Sequence, residues 1–141
     1  MVLRILFGVA AAGLLTLPVF PALAQETPEA VYQRFHQGLK TDDVGAISKV
    51  STPERAKEIT GSWWIERKIL AATTPDSYKI TTKQVSTDGN RVQLRGTAMH
   101  SFLGSEEKKM YGIIDLVKVK GEWKVDMVGW ANDEWPEEKL K

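Results

Sequence analysis

The chain has 141 residues, with 19 basic and 18 acidic side chains, two histidines and no cysteine, and a formal charge of +1. So even a balance excludes the basic stripe that nucleic acid requires and the Lys/Arg cluster of a membrane-surface helix. The missing cysteines exclude disulfide staples and the lipid anchor of bacterial lipoproteins, and two distant histidines without a spaced carboxylate set give no metal-ligating pattern and no cofactor motif.

Arg4 opens the chain with a positive charge, and an apolar run from Ile5 to Leu17 follows. That run is shorter than the roughly 20 residues a membrane-spanning helix needs. Pro18 and Pro21 break it, and Ala22-Leu23-Ala24 forms the small-x-small pattern of a signal-peptidase site. The expectation is a leader over residues 1–24, a mature chain from Gln25, a periplasmic or secreted location and no stable membrane anchor after cleavage. Residues 25–141 are then a single domain, long enough to bury a core unaided.

Next comes a helical pattern. Thr27 offers an N-cap acceptor, Pro28 a preset backbone angle and Glu29 a carboxylate near the positive end of the dipole. Val31, Phe35 and Leu39 form one apolar stripe on a helix ending near Lys40. Thr41-Asp42-Asp43 opens a second helix over Val44–Val50. Ser51 or Thr52 with Pro53 and Glu54 opens a third, running to about Ala72 with Ala56, Ile59, Trp63 and Leu70 near one face. Gly61 weakens its middle by about 1 kcal/mol relative to alanine and marks a point of kinking.

After Pro75 the period becomes that of strands: Tyr78–Val85, Arg91–Phe102, Lys109–Val119 and Trp123–Trp130, joined by Thr87-Asp88-Gly89-Asn90, Gly104-Ser105 and Lys120-Gly121. The second strand alternates, with Val92, Leu94, Ala98 and Phe102 inward and Arg91, Gln93, Arg95 and Thr97 outward, as an antiparallel sheet with one wet face allows. The tail from Ala131, acidic and lysine-rich with Pro136, is expected to fray. The fold class is α+β: N-terminal helices packed on a curved, four-stranded antiparallel sheet, cone-like in form.

Thr27-Pro28-Glu29-Ala30-Val31 with Phe35, the Lys40-Thr41-Asp42-Asp43 turn and the Val119-Lys120-Gly121-Glu122-Trp123-Lys124-Val125 hairpin together resemble the nuclear transport factor two-like superfamily, over nearly all of the mature chain. More narrowly, the chain is similar to the small exported bacterial members. The resemblance implies the cone fold shared with ketosteroid isomerases and scytalone dehydratases, with ligands held between the helices and the concave sheet.

Which residues line that space depends on the last hairpin. Pairing Leu116 with Val125 and Ile114 with Met127 turns that face and Trp123 inward. Tyr111, Ile113, Asp115, Val117, Lys124, Asp126, Val128 and Trp130 then face out, which avoids burying Lys124 and two carboxylates. The reverse register would put Tyr111, Asp115 and Asp126 in the cone. His100 shares the inward parity of its strand and is either a proton donor or acceptor in a pocket or a hydrogen-bonded rim residue. His36 falls off the main stripe of its helix and reads as surface. Asp42 and Asp43 fit helix capping, so no catalytic residue is assigned.

The ligand-binding candidates are therefore Trp63, His100, Phe102 and Met127. Tyr111, Trp130 and Trp135 are candidates for a partner surface, aromatics being common where proteins bind partners. The favoured function is an exported, non-catalytic binding module receiving a small apolar ligand or an envelope protein, and a homodimer through the outer sheet face belongs to the same class. The alternative is a small isomerase, dehydratase or hydrolase working on an apolar substrate through His100 with Tyr32, Tyr111 or an aspartate.

Overall fold

The computed structural model describes residues 24–141. The expected leader, apart from Ala24, lies outside the described residues. Four helices come first: α1 (Pro28–Lys40), α2 (Val44–Lys49), α3 (Pro53–Gly61) and α4 (Trp64–Thr73). Four strands follow: β1 (Lys79–Val85), β2 (Arg91–His100), β3 (Lys108–Val119) and β4 (Glu122–Ala131), in an antiparallel sheet of that order. Among the described residues no helix is long and apolar enough to cross a membrane.

Local chemistry accounts for the helix starts. The hydroxyl of Thr27 accepts from the Ala30 amide at 3.2 Å, Asp43 accepts from Ala46 at 3.0 Å, and Thr52 accepts from Arg55 at 3.3 Å. Each fills one of the amides a helix start leaves without a partner. The third expected helix is in fact two. It stops at Gly61, and α4 restarts at Trp63, whose backbone amide donates to Glu66 Oε2 at 2.8 Å. That break turns Trp63 out of the core: it is 74% exposed, where an unbroken helix would have stacked it beneath Ile59.

Val31, Tyr32, Phe35 and Leu39 of α1 pack with Ile47, Val50 and Ile59 against Val92, Leu94, Ile114, Leu116 and Val125 of the concave sheet face. The segment between α2 and α3 also joins the sheet: Val125 donates to the Val50 carbonyl at 2.8 Å, and Thr52 donates to the Val125 carbonyl at 2.9 Å. The free edge of β4 is thereby paired at Val125.

Leu116 faces Val125 as expected, but Ile114 faces Val128, not Met127. The cause is a β-bulge: Asp115 pairs with Met127 and Leu116 with Val125, so Asp126 is an extra residue on β4. Beyond the bulge the alternation of β4 reverses. Val128 and Trp130 turn inward, and Met127 turns to the outer face with Asp115. Nor is the tail frayed. It folds back across the outer sheet face, with the Trp135 indole donating to the Tyr111 carbonyl at 2.9 Å.

Candidate functional site

Two regions carry unusual side chains, and the first lies inside the cone. Helical spacing brings Tyr32, Phe35 and His36 onto one face of α1. Opposite them, the inward positions Gly96 and Gly112 are cross-strand partners without side chains. A Cβ at Gly112 would lie 2.7 Å from the Trp130 ring, so this indole lies flat on β3 only because residue 112 is glycine. The Trp130 Nε1 donates to the Tyr32 hydroxyl at 3.1 Å, and Tyr78 packs 5.0 Å from Tyr32, 4.9 Å from His36 and 6.1 Å from Trp130 between ring centroids.

Burial pushes the Tyr32 phenol far above its usual range and also raises that of Tyr78, so both stay neutral at physiological pH. His36 is buried, not on the surface as its position off the stripe implied, and its Nε2 donates to the Pro75 carbonyl at 2.7 Å. A carbonyl only accepts, so the proton on Nε2 is assigned by its partner. These rings occupy the space that the resemblance reserves for a ligand.

The second region is α4 and the turn after β2. No residue of α4 is buried. Polar clamps hold the helix. Lys40 Nζ donates to the Ala71 carbonyl at 2.7 Å and to that of Thr74, and pairs with Asp76 at 2.9 Å, holding that carboxyl below its usual range. His100 Nε2 donates to the Ala72 carbonyl at 2.8 Å, and Arg67 pairs with Asp42 at 2.8 Å. Ala71 alone on this helix leans against the core, which leaves Ile65 and Ile69, one turn apart, on the opposite side.

Trp63, Trp64, Ile65, Ile69 and Leu70 are all exposed, as are Phe102 and Leu103 on the turn beside the far end of the helix. Thr73 and Phe102 share the wall of a pocket of about 220 Å³ with His100, Lys108 and Met110. At the tip, Leu103 has a φ of 49° and is 82% exposed. A bulky residue in the left-handed region is strained, and here the strain holds an apolar side chain in water.

The sequence-derived ligand set therefore divides. His100 and Phe102 meet at the pocket beside α4, Trp63 stands in solvent at the opposite end of that helix, and Met127 is on the far face of the sheet. Of the partner set, Tyr111 and Trp135 meet on the outer face, whereas Trp130 is inside the cone. Tyr32 and Tyr78 lay outside both sets. The glycines opposite them were the available signal, since a glycine within a strand marks a close approach. Among the described residues no group of three or more His, Asp and Glu is placed to hold a metal ion.

No family model matches the chain, and no curated protein matches it in sequence. Solved structures do match in fold. The solution structure of a SEC-C motif containing protein from Rhodopseudomonas palustris is similar over 73% of this chain and 77% of its own, at 17% identity and a TM-score of 0.57. A designed NTF2-like protein is similar over 73% of this chain and 95% of its own, at 12% identity and a TM-score of 0.50. The intermembrane space region of the chloroplast protein ARC6 is similar over 80% of this chain and 100% of its own, at 15% identity and a TM-score of 0.50. At such identities the likeness is one of fold, the cone-like α+β arrangement.

Proposed function

We propose that this chain is an exported, non-catalytic member of the nuclear transport factor two-like superfamily that docks a protein of the cell envelope on α4 and the turn after β2. The observation that carries this reading is the concentration of exposed large apolar side chains here, Trp63, Trp64, Ile65, Ile69 and Leu70 on or beside α4 and Phe102 and Leu103 on the turn that meets Thr73. Exposed apolar side chains gathered in one region mark interaction sites, and apolar residues at i and i+4, here Ile65 and Ile69, are the anchors by which a helix enters a partner's groove. The use of the imidazoles supports it too: His36 and His100 each donate to a backbone carbonyl, which spends them on structure.

A small apolar ligand is the second reading, favoured by the His100 and Phe102 pocket. Its volume of about 220 Å³ falls below the range of about 300–1,000 Å³ typical of ligand sites, so the protein partner is preferred. Photo-crosslinking in the exporting cell tests this directly. A crosslinker at Ile69 should give a discrete adduct, one at Val85, equally exposed on β1, should not, and Leu103→Glu should abolish the Ile69 adduct. Equal labelling from both positions would defeat the reading.

A further inference from the structure

The outer face of the sheet holds a second site, on the side away from α4. The tail leaves β4 at Ala131 and crosses three strands without adding one of its own. The Trp135 indole donates to the Tyr111 carbonyl of β3 at 2.9 Å, and Arg95 of β2 donates to the carbonyls of Trp135 at 2.8 Å and Pro136 at 2.5 Å. The Gln84 amide of β1 sits against the Glu138 carbonyl and the Leu140 amide. The seat for the indole is specific: a Cβ at Gly129 would fall 2.7 Å from the Trp135 ring, so glycine there admits the tryptophan, with Ile113 alongside.

Charge matches as well. Asp133, Glu134, Glu137 and Glu138 of the tail run over a face whose outward positions include Lys79, Arg91, Arg95 and Lys109. Yet the tail fits imperfectly. A pocket of about 270 Å³ stays open beside it, lined by Thr81, Thr82, Thr97, Lys109 and Glu137 among others, and the tail carboxylate Glu138 adds, after burial and Asp126, to what raises the half-buried Asp115. An occupant that leaves space unfilled and sets like charges together is one that a better ligand displaces.

We propose that the outer sheet face is a peptide groove for an extended acidic segment bearing a tryptophan, and that residues 132–141 are its tethered competitor. Arg95 reads the peptide's main-chain carbonyls, Gly129 and Ile113 seat its indole, and the basic rim receives its carboxylates. A tethered segment competes at high effective concentration, so the native chain masks the groove against weak ligands.

The test uses full-length Trp135→Ala protein, whose own tail lacks the anchor, and a fluorescent peptide with the sequence of residues 131–141. Saturable binding at least tenfold tighter to Trp135→Ala than to the native chain, lost when the peptide's tryptophan is replaced by alanine, is the expected result. No binding to a variant that keeps the native circular dichroism, or equal binding to both proteins, overturns the proposal. Should Trp135→Ala not fold, Trp135→Leu, which keeps an apolar side chain over Gly129 and leaves Arg95 in place, provides the second route. It should speed glutamyl-endopeptidase cleavage of the tail at least fivefold and admit the peptide, and native cleavage kinetics with no peptide uptake overturn the proposal equally.

Discussion

Leu103 occupies a left-handed backbone position that asparagine or glycine fills more cheaply, and it does so fully in solvent. Leu103→Asn is therefore expected to stabilise the fold by about 1 kcal/mol, by relieving that strain, while weakening docking on α4. Denaturant midpoints read the first effect and the Ile69 crosslink the second. Asp115 is a residue of the opposite kind, a carboxyl raised above its ordinary value of 3.8 chiefly by burial and held by Gln93 Nε2 at 3.1 Å. A raised folded value means that the folded state holds the proton more tightly than the unfolded chain. The group thus favours folding at low pH and loses that contribution as pH rises from about 4 through its folded value. Asp115→Asn should raise the urea midpoint at pH 7, and the gain should vanish below pH 4.

Two departures from regularity decide what the elements present. At the bulge opposite Asp115 and Leu116, the extra Asp126 reverses the parity of the rest of β4 and delivers Trp130 to Tyr32. Gly112→Ala pushes a methyl group into the space of that indole, and a loss of about 1–3 kcal/mol is expected from overpacking. Unfolding by fluorescence should report it with a red-shifted native emission as Trp130 leaves the cone. At the break between α3 and α4, a helix without buried residues depends on its clamps, of which Lys40 is the central one. Lys40→Met should accelerate hydrogen exchange across Trp64–Thr73 far more than across β2 and β3. Removing a tether at one end of an element opens that element locally before it affects the core.

At the scale of the molecule, stability rests on the contact between α1 and the concave sheet. Phe35, 3% exposed, sits at its centre, and Phe35→Ala should cost about 3–5 kcal/mol, much of the stability of a domain this size. An unchanged guanidinium midpoint would place the core elsewhere.

The starts of α1, α2 and α3, the four strands and the inward stripe of Val31, Phe35 and Leu39 were legible in the sequence, because capping, turn chemistry and hydrophobic period are local properties of neighbouring residues. His100 and Phe102 were legible as neighbours for the same reason. The faces of Met127 and Trp130 were not, since the bulge at Asp126, just ahead of both, carries neither glycine nor proline to announce it and a single inserted residue flips every side chain beyond it. The single long third helix failed at Gly61, where the weak point was visible but the restart at Trp63 was not. The tail read as frayed because its composition is polar, while its partners Gln84, Arg95 and Tyr111 are distant in the chain. Local pattern alone thus determined the elements and the main core. Which aromatics fill the cone, which stand in water and what covers the outer face were decided by pairs of residues far apart in sequence, and only the folded sheet brings those together.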